Sequence, residues 1–303
     1  EAFFVNPETC KDNHFQAESA AASSDQGEAV RARGLAELAA LKQALDRRGV
    51  TVRCVPLPAS EGGDAKPDAI FPNNSFSMHA GPADATTGAR KVAAVLWPMS
   101  PGRVDEVPAA LRIALGRACG AVHDLRHIQD MPEFGAVAGG DDDGASADRF
   151  VALEGTGALV FSHGGDACFV ARSQRANDAV LRLATSLPGV TPFQPPQLSQ
   201  VHQFTGVDSK GRTVYHTNVL GWCGSRAAAW CMSALKFADE SGDDLAAKGD
   251  AAWGEDKAVR FVSSRRAFEA YFARKGIPLI DLTPAEMHAF AGNCLELFDG
   301  AGK

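Results

Sequence analysis

The sequence predicts an α/β protein in which one supersecondary unit, a strand pair followed by a helix and another strand, recurs around a closed ring. Three observations carry this. The order strand pair, helix, strand repeats along the chain at irregular spacing, and a unit of that size buries its apolar face only against its neighbours. The repeats contain antiparallel hairpins, which a doubly wound parallel sheet would not supply, so an ordinary open α/β sheet fits less well. Composition agrees: 303 residues with 45% hydrophobic and 22% charged can bury a sizeable core, and 30 glycines with 16 prolines imply many turns and short strands.

Taken in order, residues 3–16, FFVNPETCKDNHFQ, pass from an apolar run into a polar loop. Ala29 to Arg48 sets Leu35, Leu38, Leu41 and Leu45 on one face, the spacing of an amphipathic helix, which ends near Gly49 before the alternating VTVRCV. The second unit opens at DAIFPNNSFSMH (68–79) and continues in the apolar strand VAAVLWP (92–98). Val107, Leu111, Leu115 and Ala118 then recur at helical spacing with Pro108 in the first turn, and GAVHDLRH follows. In the third unit, LEGTGALVFS (153–162) and ACFVARS (167–173) flank a turn at His163–Asp166 with two central glycines, and a helix runs through Val180, Leu181, Ala184 and Leu187.

The fourth unit is the hairpin Thr213–Cys231, with an extended arm through Val214, Tyr215 and Val219 and a Gly224–Ser225 turn. On a pleated strand His216 and Asn218 would share one face. A helix carrying Phe261, Phe268 and Phe272 comes next, then GIPLIDLTP. The fifth unit starts with a short helix whose Thr283 and Glu286 form a capping box with Pro284 at its first position, and which stops at Gly292 before NCLELFDGAG. The whole of 1–303 reads as a single domain with two acidic, glycine-containing loops, 138–149 and 239–256, as insertions. Both ends look cut mid-element, and a further C-terminal strand is expected.

Bulk chemistry narrows the class of function. The net charge of −7 without a Lys/Arg cluster argues against nucleic acid. No run reaches membrane-spanning length and nothing at the start resembles a secretory signal, which fits a cytoplasmic protein. Seven scattered cysteines, an odd number without CxxC spacing, suit reduced thiols rather than a disulfide framework. His123 and His127 have i,i+4 spacing but fall where the unit predicts a strand, and the aspartates of 138–149 read as a solvated loop, so no metal is expected. Cys168, Cys223 and Cys231 lie in apolar strands and read as core.

If the units surround a common axis, the starts of their first strands converge. Those starts are Asp68–Asn74, Glu154–Gly157, His216–Asn218 and Asn293–Cys294, a mixture of carboxylate, amide, imidazole and thiol. A thiol beside an imidazole is a nucleophile with its proton acceptor, and a carboxylate orients the imidazole or the substrate. Such a set suits attack on an electron-poor carbon bearing several nitrogens. For each residue taken alone the commoner role is structural: a hydrogen-bonded core histidine, or a cysteine acting as a small buried hydrophobe.

NPETCKDNHFQ (6–16), PDAIFPNN (67–74), LEGTG (153–157), YHTNV (215–219) and AGNCLEL (291–297) together resemble the motifs of arginine deiminase-related hydrolases of the amidinotransferase, or pentein, superfamily, and most of all the branch associated with citrulline utilisation. The resemblance implies a five-bladed α/β propeller of pseudo-symmetric ββαβ units. It also implies hydrolysis at a guanidino or ureido carbon of a small amino acid through a Cys–His covalent mechanism, with no cofactor. Carried across, His216 matches the general acid/base and Glu154 the acidic residue of the third blade. Asp68, Asn73 and Asn74 match the substrate-binding segment, with Asn218 beside the histidine, and Arg103 matches the group that binds the substrate carboxylate. Cys294 falls near the nucleophile's place in the fifth blade, a nucleophile beyond Lys303 being the alternative. Two amides where relatives acting on cations carry acids favour a neutral ureido group such as citrulline's over arginine's guanidinium. The expected partner is an amino-acid substrate, with a homodimer allowed. The alternatives are a dimethylarginine hydrolase, an amidinotransferase, and a propeller that binds an arginine-like ligand without turning it over.

Overall fold

A computed structural model describes residues 13–14, 27–54, 68, 71–83, 86–87, 90–101, 103, 109–131, 151–186, 198–238 and 259–298. The chain divides into two compact units, one of Glu1–Pro72, Gly102–Leu115 and Glu296–Lys303, the other of Asn73–Pro101 and Gly116–Leu295. The acidic loops expected at 138–149 and 239–256 lie outside the described residues, as does most of NPETCKDNHFQ.

In the smaller unit the predicted amphipathic helix is α1, Gly27–Arg47, held on its polar side by the i,i+4 pairs Arg33–Glu37 and Lys42–Asp46. Its leucine stripe is not covered: Leu35, Leu38 and Leu41 are all exposed. The alternation in VTVRCV does not become a strand over its described part, 50–54. Period-two alternation marks a strand only where a neighbouring edge takes up its hydrogen bonds.

The larger unit contains the repeat. Strands β1 (Phe76–Ala83) and β2 (Arg90–Leu96) pair antiparallel, and β3 (Ala121–Asp124) joins β2 in parallel; helix α2, Ala109–Ala118, comes between β2 and β3 in the chain, its residues up to Leu115 belonging to the smaller unit. A one-turn helix α3 (Gly155–Ala158) leads into β4 (Leu159–Phe161), which pairs antiparallel with β5 (Ala167–Ala171). After helix α4 (Asp178–Ser186) comes β6 (Gln200–Gly206), parallel to β5. A second one-turn helix, α5 (Thr217–Leu220), opens the hairpin of β7 (Gly221–Cys223) and β8 (Ala228–Trp230). Strands β9 (Leu235–Lys236) and β10 (Arg260–Val262) extend the β6 sheet, helix α6 (Arg265–Lys275) follows, and β11 (Leu279–Asp281) lies parallel to β8. Helix α7 (Pro284–His288) starts on the predicted capping box. Among the described residues the same succession along the chain, an antiparallel pair, then a helix, then a strand parallel to the second of the pair, occurs three times.

The structure corrects four details. LEGTG and YHTNV are not strand starts but the helical turns α3 and α5, so His216 is the extended residue before a helix and Asn218 lies within it, and the two do not share a strand face. Phe261 belongs to β10 rather than to the helix of Phe268 and Phe272. His123 is on β3 but His127 is in a 3-10 turn, Arg126–Asp130. The last helix ends at His288, before Gly292.

Strand β5 shows why the centre is rigid. All five of its residues are buried, as expected for a strand covered on both faces. Cys168 and Val170 enter an aliphatic core with Val95, Leu153, Leu159, Val180 and Leu181. Phe169 faces the other way, into an aromatic cluster with His202, Trp230, Phe268 and Phe272 at centroid distances of 5.1–5.3 Å. The described cysteines are free thiols, and Cys168 and Cys231 are buried as expected while Cys223 is half-buried.

Candidate active site

Glu154 is a buried carboxylate of the larger unit held by several donors. Its side chain is fully buried, and its oxygens accept from three directions: Arg175 Nη1 at 3.3 and 3.2 Å, the Ser100 backbone N–H at 3.1 Å, and His216 Nε2 at 2.9 Å. Each donor comes from a different stretch of chain, which fixes the carboxylate in position and plane. A carboxylate paired with Arg175 has only lone pairs to offer, so His216 Nε2 is the donor and carries the ring hydrogen. That leaves Nδ1 as the ring nitrogen that does not face Glu154, on the side of Gly157.

Glycines explain how these groups come so close. Gly155 has φ of +41°, and a Cβ there would lie 2.5 Å from the Asn73 carbonyl oxygen. Gly157 faces the histidine: a Cβ would lie 2.8 Å from His216 Cε1 and 2.9 Å from Nδ1, and would also strike Asn74 Oδ1. The EGTG motif is thus a backbone floor on which the imidazole and the Asn74 amide both rest. Thr156 Oγ1 ties this floor to the Asn73 carbonyl at 3.1 Å. Thr217 Oγ1 ties it to the next unit by donating to the Ala158 carbonyl and accepting from Ala171 N–H at 2.7 Å. Asn73 is exposed, Asn74 is buried, and the Asn73 Nδ2 donates to Asn74 Oδ1 at 3.1 Å.

The other expected residues fall as follows. Asn218 is half-buried, two residues beyond His216 in α5. In the smaller unit Asp68 and Arg103 pair with each other: Arg103 Nη2 donates to the Asp68 carbonyl at 3.1 Å, its Nε is 3.9 Å from the carboxylate, and both side chains are 3% exposed. Cys294 is exposed, on the turn after α7, with its thiol 3.5 Å from the Ala291 carbonyl. That turn is seated on the histidine's own helix, because a Cβ at Gly292 would lie 2.6 Å from the Val219 carbonyl oxygen. The structure therefore joins Glu154, His216 and Asn74, and places Cys294 beside the same helix without a hydrogen bond between thiol and imidazole.

Sequence reading missed Arg175, which is 2% exposed, and Gly157's specific contact with the ring. Arg175 stands four residues past the end of β5 in a stretch without a motif; only the need of a buried Glu154 for a cation could have pointed to it. Among the described residues no group of three or more His, Cys, Asp or Glu is placed to hold a metal ion. None of the described helices is long and apolar enough to cross a membrane.

Comparison with known proteins places this geometry. ArgZ, an arginine dihydrolase from the ornithine–ammonia cycle in cyanobacteria, superposes in its apo form with TM-score 0.54 at 14% identity, covering 97% of this chain and 31% of that one. A binary complex of an AgrE mutant with L-arginine superposes with TM-score 0.52 at 15% identity, covering 88% of this chain and 29% of that one. The chain thus spans about a third of the length of these two solved proteins, and the likeness is one of α/β fold. No curated protein matches the sequence. The family described as N,N dimethylarginine dimethylhydrolase, eukaryotic, matches residues 1–303, the whole chain, and the protein belongs to that family, within the amidinotransferase superfamily.

Proposed function

We propose that the protein hydrolyses a C–N bond at the guanidino carbon of an arginine-like amino acid, and that its three ββαβ units belong to a five-bladed α/β propeller. The observation that carries the reading is the buried Arg175–Glu154–His216 chain set on a glycine floor, in a protein of this family. Cys294 is the nucleophile. Its thiolate adds to the guanidino carbon, and protonated His216 gives its proton to the departing nitrogen, which leaves as an amine. Water then adds to the thiouronium carbon while His216 takes up its proton. Collapse expels the thiolate and leaves a ureido product. Glu154 holds the imidazole in one orientation and stabilises its protonated form, and no cofactor takes part. Asp68, Asn73, Asn74, Arg103 and Asn218 are proposed to bind the substrate, which is a free amino acid in the cytoplasm.

One observation favours a second reading. The polar group that shares the Gly157 floor with His216 is the neutral Asn74 amide, which pairs with a ureido oxygen and N–H as readily as with a guanidinium. Incubation with N,N-dimethylarginine, arginine and citrulline separates the two. Dimethylamine or ammonia released from the first two with citrulline formed supports the guanidino reading, and ammonia from citrulline alone supports the ureido one. Binding of all three without any turnover would refute both and leave a ligand-binding propeller.

A further inference from the structure

The His216 ring bonds Glu154 through Nε2 and lies on Gly157 through Cε1 and Nδ1, contacts that hold only while its backbone keeps a fixed height above the glycine floor. The residue that sets this height is the next one in the chain. Thr217 is fully buried, and its hydroxyl stands where the β4–β5 ladder breaks off. That ladder stops at Leu159–Val170, so Ala158 and Ala171 are the residues that come next, and both are fully buried. At Ala158 the chain belongs to the helical turn α3 rather than to a strand. The Ala171 N–H donates to Thr217 Oγ1 at 2.7 Å, and Thr217 Oγ1 donates to the Ala158 carbonyl. A side chain from α5 is thus spliced between two main-chain groups of the third unit and satisfies both, where a buried N–H or C=O left alone is costly. On the other side of the histidine, Ser173 Oγ donates to the Tyr215 carbonyl at 2.7 Å, which holds the residue before His216 against the chain beyond β5.

We infer that Thr217 is a positioning residue for proton transfer: its hydroxyl, donor and acceptor at once, locks the α5 backbone to Ala158 and Ala171 and thereby holds the His216 ring against Glu154 and Gly157. This rests on the reading of His216 as the proton-transfer group, whichever group is the nucleophile. The place needs a hydroxyl, because the Ala171 N–H requires an acceptor and the Ala158 carbonyl a donor. Valine has the shape of threonine and offers neither, so both main-chain groups would face a methyl and α5 would shift to let them find other partners.

The test compares Thr217→Val, Thr217→Ser, Phe272→Leu and His216→Ala with the parent in the full chain. The readouts are thermal unfolding, steady-state kinetics with whichever of N,N-dimethylarginine, arginine and citrulline is turned over, and proton–nitrogen NMR of the histidine rings. The His216 signals are assigned by their absence from His216→Ala. The parent is expected to show the His216 Nε2 proton protected from solvent exchange by its bond to buried Glu154. In Thr217→Val that protection is lost, and kcat falls by about 10- to 100-fold with KM unchanged, the scale of a small misplacement of a reacting group. Thr217→Ser restores both. Phe272→Leu, which opens a cavity in the aromatic cluster instead, unfolds at a lower temperature with parental kcat and protection. Parental kcat and protection in Thr217→Val, or the same losses in Phe272→Leu, overturn the positioning role, and a His216→Ala without turnover then leaves the reading of His216 standing. Parental turnover in His216→Ala, or a parent that turns over none of the three compounds, overturns that reading and the positioning role with it. If Thr217→Val does not fold, Thr217→Ala, which leaves room for a water to join the same two groups, is measured in its place. A chain that folds with neither substitution assigns Thr217 to stability alone and overturns the role.

Discussion

Replacing Glu154 by glutamine keeps the shape of the side chain and removes its charge. In the parent, Arg175 and Glu154 are 2% and 0% exposed and stand 3.2 Å apart, so each offsets the desolvation of the other. Breaking such a pair by removing one partner costs about 3–5 kcal/mol, because the remaining charge stays buried. Against a folding stability of about 5–15 kcal/mol the variant stays folded at room temperature with a lowered urea midpoint. The catalytic loss is separate in origin. His216 loses the negative charge that stabilises its protonated form, an amide that can turn its NH2 to the ring no longer fixes which nitrogen carries the proton, and kcat is expected to fall by about 10²–10⁴-fold, the range of general acid–base catalysis. The double variant Glu154→Gln/Arg175→Met separates the two effects. With both charges gone, stability recovers most of its loss, since a buried ion pair replaced by matched uncharged groups is often neutral. Turnover stays low. Urea unfolding and steady-state kinetics on the three proteins measure both quantities. Parental kcat in Glu154→Gln, or rescue of activity along with stability in the double variant, would refute the role given to the carboxylate.

Two further outcomes follow from the same geometry. Gly157→Ala places a methyl group against His216 Nδ1, Cε1 and Asn74 Oδ1, so turnover is lost while circular dichroism stays parental; retained turnover would show that the ring has room to shift. His202 is fully buried in the aromatic cluster with neither ring nitrogen hydrogen-bonded, and burial, then the charges of Arg260 and Arg274, push it down to about 3. An unfolded histidine titrates near 6.5, so between those values the unfolded chain binds the proton and the folded one does not. Stability is therefore full above pH about 6.5 and falls as the pH drops towards 3, by about 2–3 kcal/mol at pH 4.5. His202→Leu should flatten that stretch of the pH–stability curve, and an unchanged slope would assign the acid sensitivity elsewhere, His79 being a second buried imidazole pushed down to about 4.

Much of the fold was legible because its hairpins announce themselves. The glycines at 164 and 165 between two apolar runs, and the Gly224–Ser225 turn, locate β4–β5 and β7–β8, and Thr283 with Glu286 locates the start of α7. The one-turn helices α3 and α5 were not legible. Four residues are too short to show a helical period, and their sequences, GTGA and TNVL, are shaped by what they touch. Glu154 and His216 were found through motif likeness, yet their 2.9 Å contact across 62 residues is a tertiary fact that no local pattern holds. Arg175 escaped for the same reason. Asp68 and Arg103 were read as separate substrate contacts, and their pairing with each other emerged only in three dimensions.

The central claim is that Cys294 attacks a guanidino carbon with His216 and Glu154 as its proton-handling pair. Acid quenching during turnover of N,N-dimethylarginine, followed by peptide mass spectrometry, tests it directly. The account predicts a thiouronium adduct on the peptide containing Cys294, formed in the parent and absent in His216→Ala. Turnover with no adduct there, or with the adduct on a residue outside 290–298, would contradict it.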